Sequence, residues 1–306
     1  MESHKADVSR YWSGRAHAYD EAQQKGERSQ IEKELWKKAF SFLSHDDGTL
    51  VHRASNAKPA LHTTDAKQAV GGNGTATGHN GDGTPAIRKN HGTTALHCTD
   101  ATPDLRGSDD GKQALRVLDV GCGSGYLSRI VAGFGHNVVG LDSSPGMLRE
   151  AESHHVRGLQ TVLGDATCPP ESLGKFDVIV SRYVMWTLED PYSAVCAWKK
   201  MLDPQGPGII AIADANWFPS GEGLEVDVDS EDGENAFIDT YGHGYAEQLP
   251  LATLDSPQSY LDIFQRAGLR AHLTWLPEID ELDLICGVSR GHMPRKRFLI
   301  RASVTA

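Results

Sequence analysis

The stretch VLDVGCGSGY, residues 117–126, decides the fold of this chain. It begins as an apolar run, passes through Gly121, Gly123 and Gly125, and leads into a helical pattern from residue 127. Glycines at such a junction let the chain turn sharply and let its backbone approach a ligand closely. The stretch therefore predicts a strand, a ligand-binding loop and a helix in succession.

Two residues around the glycines indicate what kind of ligand the loop binds. Tyr126 stands where a dinucleotide-binding loop has its last glycine, and Asp119 lies just before the first one. A carboxylate at that point repels a pyrophosphate and suits a positively charged ligand. The loop therefore disfavours a dinucleotide such as NAD.

Strand and helix patterns alternate from residue 115 to the end of the chain. Such alternation is typical of a doubly wound α/β fold with a mostly parallel sheet. The predicted strands are 115–120, 136–141, 160–163, 176–181, 208–213, 269–276 and 297–302, and the predicted helices between them are 127–134, 147–155, 192–202 and 257–267.

Two further acids close predicted strands. Asp142 ends the second strand and Asp165 ends the third. The carboxyl ends of parallel strands lie at one edge of a sheet, where open α/β sheets bind their ligands. An acid about twenty residues beyond a glycine loop is placed to accept hydrogen bonds from ribose hydroxyls. We therefore expect Asp142 to bind a ribose and Asp165 to accept from an adenine amino group.

These motifs resemble those of the class I S-adenosylmethionine-dependent methyltransferases, in particular their bacterial small-molecule branch of type 11. The resemblance rests on VLDVGCGSGYLS at 117–128, VVGLDSSPGMLREA at 138–151, LGDAT at 163–167 and FDVIVSRYVMWTLEDP at 176–191. It implies a Rossmann-like sheet of seven strands with the last antiparallel, an N-terminal helical lid, and S-adenosylmethionine as cofactor. The cofactor-binding residues that it implies are Tyr11, Asp119, Gly121, Cys122, Gly123, Gly125, Asp142, Ser143, Met147, Gly164, Asp165, Ala166, Ser181 and Arg182.

Candidates for the substrate side lie in the lid and after the fourth and fifth strands. Tyr19 belongs to the aromatic segment 11–20, and Trp186 either faces the substrate or packs in the core. Asp214 follows the fifth strand and is a candidate base. His243 stands between two glycines, as a general base or as an exposed loop residue. The fourth strand lacks the Asn/Asp-Pro-Pro-aromatic signature of enzymes that methylate bases.

The acceptor is a small molecule with an N, O or S nucleophile. Residues 221–244 contain eight acidic residues, which favour either a solvated loop or a cap that attracts a cationic amine. The acids give a slight preference for an amine. Two rival functions stay open: a catalytically silent cofactor-binding regulatory or scaffold protein, and, less favoured, an NAD-dependent oxidoreductase.

Composition limits the partners and the location. The formal net charge of −11 disfavours nucleic acid, and the one tight basic cluster, residues 295–297, fits a solvated strand end. Five scattered cysteines form no CxxC pair, and no run of eighteen apolar residues occurs. We therefore expect a cytoplasmic protein with no membrane partner.

The predicted organisation is a helical lid at 1–45, an insertion at 46–113, and a cofactor-binding domain at 114–306 with a cap at about 218–256. The insertion has no aromatic residue, and ALHTTDA at 60–66 recurs as ALHCTDA at 95–101. Such composition cannot offset the entropy of ordering the chain, so we predict a flexible segment. Six histidines lie between residues 45 and 97, but their irregular spacing predicts no metal site.

Overall fold

Seven strands form one sheet in the part of the chain that the structure describes, which is residues 2–44, 113–222, 236–242, 244–287 and 293–304 of this computed structural model. The strands are β1 (Arg116–Val120), β2 (Asn137–Asp142), β3 (Leu159–Leu163), β4 (Val178–Arg182), β5 (Ile209–Ala215), β6 (Leu269–Trp275) and β7 (Arg297–Val304). Their order is β3-β2-β1-β4-β5-β7-β6. Only β7 runs antiparallel to its neighbours among these strands, as the resemblance implies.

Eight helices accompany the sheet in the same described residues. They are α1 (Glu2–Gln24), α2 (Gly26–Ala39), α3 (Tyr126–Gly133), α4 (Pro145–Ser153), α5 (Pro191–Met201), α6 (Ala236–Tyr241), α7 (Gln258–Arg266) and α8 (Pro277–Cys286). Every predicted strand and helix is confirmed, with bounds within two residues. α6 and α8 were not predicted. In α8, Leu284 and Ile285 are 71% and 80% exposed, so its apolar residues do not mark a single buried face.

Apolar side chains cover both faces of the central strands. Leu118 and Ile179 are fully buried in one core cluster, while Val117 and Val180 are fully buried in a second cluster on the opposite face. Successive side chains of a strand point to opposite faces, so a strand buried on both faces reads as a continuous apolar run. This arrangement leaves only the strand ends free to carry polar groups.

The N-terminal segment is helical, as predicted. Phe40 and Leu43 are fully buried, whereas Ile31 is 44% exposed. Trp36, which is also fully buried, sets the inner face of α2. Ile31 lies five residues earlier, about 140° around the helix from Trp36, and so points away from the core.

Helix α1 lies across the carboxyl edge of β2 and the start of α4. The Ser9 hydroxyl donates to the Ser143 carbonyl at 2.7 Å, and the Ser13 and Ser144 hydroxyl oxygens lie 2.8 Å apart. A side chain at Gly146 would overlap the backbone of Ser13, so the two helices approach closely there. All described residues belong to one compact unit, in which α1 covers the edge where the strand-end acids lie.

The prediction that residues 295–297 are a solvated strand end is wrong for Arg297. Arg297 is only 8% exposed and pairs with the buried Asp283 at 2.6 Å. Its Nε donates to the Tyr183 hydroxyl at 2.8 Å. α8, which the sequence did not predict, supplies Asp283, and this is why the burial of Arg297 was missed.

Several predictions fall outside the described residues. They concern the insertion at 46–113 except its last residue, most of the acidic segment within 221–244, and His243. In the described ranges, no helix is both long and apolar enough to cross a membrane.

Candidate functional site

A cavity of about 390 Å³ lies between α1 and the carboxyl edge of the sheet. Its floor is the glycine loop and the ends of β2 and β3, and its roof is α1. The predicted site residues that line it are Gly121, Gly123, Asp142, Ser143, Met147, Gly164, Asp165, Ala166, Arg182 and Tyr19. The structure thus brings together residues from all four sequence segments on which the resemblance rests.

The glycine loop needs glycine for backbone and steric reasons. Gly121 and Gly123 have φ angles of +66° and +55°, in the left-handed region that L side chains rarely adopt. A Cβ atom at Gly121 would lie 2.9 Å from Cγ1 of Val184 and would overlap its Cγ2. The loop therefore turns under the segment that follows β4 with no space for a side chain.

Asp142 holds the glycine loop in place and also faces the cavity. Its Oδ2 accepts from the Gly123 N–H at 2.8 Å, and its Oδ1 accepts from the Ser144 N–H at 2.8 Å. Burial raises the pKa of Asp142, against the lowering effect of these backbone donors. Each carboxylate oxygen can accept more than one hydrogen bond, so Asp142 retains capacity for ribose hydroxyls.

Asp165 is paired within the protein. Its Oδ2 lies 2.7 Å from Nζ of Lys5, and its Oδ1 accepts from both the N–H and the hydroxyl of Thr167 at 2.7 Å. Burial acts to raise the pKa of Asp165, but the bonds from Lys5 and Thr167 outweigh it and lower the pKa. The carboxylate is therefore ionised and able to accept from a further donor at its free lone pairs.

Asp119 lies deeper, beside a second pocket of about 30 Å³ that shares Tyr19, Gly121, Gly123 and Arg182 with the cavity. Its Oδ2 accepts from the Ser128 hydroxyl at 2.6 Å, and its Oδ1 has no hydrogen-bond partner among the described residues. The side chain is 1% exposed, and burial raises its pKa to about 7.

Besides Asp119, four predicted cofactor residues do not line the cavity. Cys122 is buried beside the smaller pocket, and Gly125 immediately precedes α3 with a φ of +81°. The Ser181 hydroxyl donates to the Val120 carbonyl at 2.8 Å inside the sheet. Tyr11 packs edge-on against Phe237 and Tyr241 in an aromatic cluster.

The candidates for the substrate side lie in different parts of the structure. Tyr19 lines both the cavity and the smaller pocket. Trp186 is 6% exposed and packs against Tyr241 and Phe218, which favours the core-packing alternative. His243 lies outside the described residues.

Asp214 is enclosed rather than facing the cavity. Its Oδ1 accepts from the Ala215 N–H at 2.9 Å and from the indole N–H of Trp217 at 2.7 Å. Burial raises its pKa to about 7. These bonds join the end of β5 to Trp217, and Asp214 is not among the residues that line the cavity.

Several lining residues were missed by sequence reasoning. They are Lys5, Ala6, Val8, Ser9, Trp12, Leu141, Thr167, Tyr183, Val184, Thr187, Leu188, Glu189 and Tyr245. Lys5 is 160 positions away from its partner Asp165. No spacing pattern connects the residues of α1 with the sheet, since they meet only when α1 folds over it. Leu141, Thr167 and the residues at 183–189 instead lie within the segments that carry the resemblance.

The chemistry of the lining fits S-adenosylmethionine. An adenine amino group and a ribose diol require acceptors, which the carboxylates of Asp165 and Asp142 supply. The ammonium group of the amino-acid end suits the unpartnered, buried oxygen of Asp119. A Rossmann-like sheet with this loop and these strand-end acids defines a class I S-adenosylmethionine-dependent methyltransferase domain.

Comparison with known proteins agrees. Residues 118–210 match the family model described as "Methyltransferase domain". They form a class I methyltransferase domain, the domain class that takes S-adenosylmethionine as its cofactor.

Curated relatives are similar over the same part of the chain. A ubiquinone biosynthesis O-methyltransferase of Caulobacter sp. (strain K31) is 34% identical over 103 residues, 32% of this chain and 41% of that protein. The enzyme of the same name from Marinobacter nauticus is 33% identical over 107 residues, 33% of this chain and 45% of that protein. The chain thus spans less than half of the length of these relatives.

Solved structures show similarity at lower identity. Phosphoethanolamine N-methyltransferase 2 of Haemonchus contortus is 17% identical with a TM-score of 0.45, over 64% of this chain and 50% of that chain. An S-adenosylmethionine-dependent methyltransferase of Mesorhizobium loti is 20% identical with a TM-score of 0.42, over 62% of this chain and 91% of that chain.

Proposed function

We propose that this chain transfers a methyl group from S-adenosylmethionine to a small-molecule acceptor. The proposal rests on one observation: the glycine loop, Asp142 and Asp165 lie together in one cavity beneath α1. Asp142 binds the ribose, Asp165 the adenine amino group, and Met147 packs against the adenine. The methionine end points toward Asp119.

The cofactor supplies a methyl group that its sulfonium already activates, so the protein's main task is positioning. Holding a nucleophile about 3 Å from that methyl in line with the sulfur can supply roughly 7–11 kcal/mol. Helix α1 covers the cavity, and in this scheme it limits the access of water to the reacting groups. Trp12, Tyr19 and Tyr183 line the cavity with aromatic side chains, which form the wall beside the acceptor.

An oxygen nucleophile is the acceptor class that we propose first. The two relatives described above carry the name O-methyltransferase, and they give no support to the preference for an amine. A phenolic or enolic oxygen reacts as its anion, so a general base contributes roughly 10²–10⁴-fold. His243 and Asp214 stay predictions for that role, and Tyr19 is proposed to orient the acceptor.

The test is turnover of S-adenosylmethionine with a labelled methyl group. The purified chain is incubated with a panel of phenols and catechols and a parallel panel of amines, and labelled product and S-adenosylhomocysteine are measured. With an oxygen acceptor, we expect labelled product and S-adenosylhomocysteine to form in equal amounts. Product with amines only would overturn the oxygen assignment. Cofactor binding without turnover in a cell extract would favour the silent scaffold.

Tyr19 is tested once an acceptor is known. We expect Tyr19→Phe to lower kcat/KM at least about tenfold, which is roughly 1.4 kcal/mol. Tyr192→Phe is the matched control, because Tyr192 lies on the partly exposed surface of α5 and does not line the cavity. Full activity in both variants would place the acceptor elsewhere.

A location in the cytoplasm and the absence of a nucleic-acid partner stay predictions from composition.

A further inference from the structure

A third pocket, of about 310 Å³, lies outside the cofactor cavity, where the two N-terminal helices meet α3 and the end of α4. We call it the polar pocket. Its lining residues are Gln23, Gln24, Ser29, Gln30, Lys33, Tyr126, Arg129, His154 and Val156. Small-molecule pockets have volumes of about 300–1,000 Å³, so the polar pocket is large enough for a small ligand.

The lining of the polar pocket combines hydrogen-bond donors with permanent positive charge. Eight of its nine residues are polar, and Val156 is the exception. Lys33 and Arg129 carry the positive charges, and none of the nine is an acid. Such a lining disfavours an apolar ligand, which would leave the polar groups without partners. It favours a ligand that is negatively charged and has several acceptor oxygens.

Both cations have donors left for a ligand. The Arg129 guanidinium meets the buried Asp20 through one nitrogen, at 3.5 Å, and Nε2 of His154 lies 3.0 Å from the same carboxylate. A guanidinium has five N–H donors, so most of those of Arg129 remain. Lys37 and Lys38 of α2 pair with acids, whereas no ion pair joins Lys33 to an acid of the described residues.

Tyr126 adds a buried hydroxyl group without a partner. The residue is only 6% exposed, and its hydroxyl oxygen makes no hydrogen bond with the described residues. Burial raises the pKa of Tyr126, so the hydroxyl stays protonated and is able to donate. Buried polar groups in folded proteins are nearly always hydrogen-bonded. This hydroxyl therefore indicates an acceptor atom that a ligand of the polar pocket supplies.

From this geometry we propose that the polar pocket binds a small oxyanion, either a phosphate or a polycarboxylate. Arg129 and Lys33 are its cationic partners, and Tyr126 is a neutral donor. A guanidinium binds phosphate or carboxylate oxygens with two parallel hydrogen bonds, and an ammonium group binds them as a point charge. The site is separate from the cofactor cavity, so its existence does not depend on the proposed function.

The oxyanion is linked to the cofactor through shared residues. Gln23 and Tyr126 line the polar pocket and also the smaller pocket beside Asp119. Oε1 of Gln23 accepts from the guanidinium of Arg182, which lines the cofactor cavity, at 3.2 Å. An oxyanion that fixes these side chains and the end of α1 stabilises the closed arrangement over the cavity. Under the proposed function, it therefore raises the affinity for S-adenosylhomocysteine about fivefold or more.

The experiment measures the thermal midpoint of the full chain in increasing phosphate, citrate or chloride at matched ionic strength. We expect phosphate or citrate to raise the midpoint by about 2–4 °C above chloride, with saturation, once its concentration is about ten times the dissociation constant. Lys33→Met should weaken the oxyanion about tenfold. Lys37→Met is the matched control, because it removes the same charge from the same helix but does not line the pocket.

Tyr126→Phe gives a second, independent variant. In chloride its midpoint should equal or exceed that of the wild type, because the hydroxyl has no partner to lose. In the oxyanion its rise in midpoint should be smaller than that of the wild type. A response to phosphate alone identifies a phosphate site, and a response to citrate alone identifies a polycarboxylate site.

Two results would overturn the site. One is no rise above chloride with either anion. The other is an equal rise in the wild type, Lys33→Met and Tyr126→Phe, which would show a general salt effect. Calorimetric titration with S-adenosylhomocysteine, with and without the oxyanion, tests the link to the cofactor. Equal affinities would overturn that link, whereas a chain that binds no S-adenosylhomocysteine in chloride would overturn the proposed function instead.

Discussion

The cavity and the smaller pocket beside it differ in how their carboxylates are paired. At the end of the cavity that we propose for the adenine, the side chain of Asp165 is 41% exposed and already accepts from Lys5 and Thr167. At the smaller pocket, which we propose for the methionine end, Asp119 is 1% exposed and one of its oxygens has no partner among the described residues. The buried end therefore depends on the ligand for its missing partners, whereas the exposed end is satisfied by the protein itself. We expect substitutions to have larger effects toward the buried end.

The largest effect is expected for Gly121→Ala, in the loop at the methionine end. A positive φ costs an alanine about 1–2 kcal/mol, and overlap with the stiff side chain of Val184 adds about 1–3 kcal/mol. The free energy of unfolding, measured in urea, should fall by roughly 2–5 kcal/mol in total. Gly133→Ala is the control, since nothing lies within 4 Å of its Cβ position. Equal stability of the two variants would contradict the close packing of the loop.

Asp142, between the two ends, should have the next largest effect. Asp142→Ala should weaken S-adenosylhomocysteine by about 1–3 kcal/mol, because the ribose contacts and the bond to the Gly123 N–H are both lost. Asp142→Asn keeps one oxygen acceptor and should lose less. Asp203→Ala, which removes an acceptor for the Gln205 N–H in a distant turn, should leave the affinity unchanged. An unchanged dissociation constant for S-adenosylhomocysteine in Asp142→Ala would contradict the proposal that Asp142 binds the ribose.

The affinity for S-adenosylhomocysteine should change with pH as the carboxyl group of Asp119 ionises. Burial raises its pKa to about 7 in the folded protein, so between its unfolded value of 3.8 and 7 the folded state holds the extra proton. Stability due to this group is therefore greatest at low pH and declines as the pH rises through 7. A ligand ammonium group binds the ionised form, so the affinity for S-adenosylhomocysteine should rise about tenfold from pH 6 to pH 8.

Two variants separate the contributions to that profile. Asp119→Asn should flatten the rise in affinity with pH. Asp214, whose pKa burial also raises to about 7, lies away from the cavity. Asp214→Asn should therefore alter the pH dependence of stability and leave that of binding intact. A binding profile that stays steep in Asp119→Asn would place the titrating group elsewhere.

The smallest effect is expected at the adenine end. Lys5 and Asp165 form a half-exposed ion pair, and such pairs contribute about 0–1 kcal/mol. Lys5→Met should therefore shift the free energy of unfolding by less than about 1 kcal/mol and change ligand affinity by less than about fivefold. Calorimetry at low and high salt checks both values. A larger loss of ligand affinity in Lys5→Met than in Asp142→Ala would contradict the expectation that substitutions toward the buried end have the larger effects.

The sequence predicted the floor of the site and a helical lid over it, but not the residues by which that lid meets the floor. Asp142 and Asp165 were predictable because parallel strands bring their carboxyl ends to one edge, whatever covers that edge. Lys5 and Trp12 reach the same cavity from α1, over a separation in sequence that no periodicity encodes. The pairing of Asp165 with Lys5 therefore became visible only in the structure.

Burial was the second property that the sequence did not reveal. Asp214 lies at the carboxyl end of β5, as Asp142 does in β2, yet the indole of Trp217 and the backbone enclose it away from the cavity. Arg297 was predicted to be solvated, but Asp283 of the unpredicted α8 draws it inside. In both cases the local pattern was interpreted correctly as a strand end, and a distant or neighbouring side chain then decided the exposure.

The most direct test is a crystal structure of the chain with S-adenosylhomocysteine. The account predicts one ligand across the cavity and the smaller pocket, with the adenine amino group at Asp165, the ribose hydroxyls at Asp142 and the amino-acid end at Asp119. A ligand bound outside the cavity, or one whose amino-acid end points away from Asp119, would contradict it.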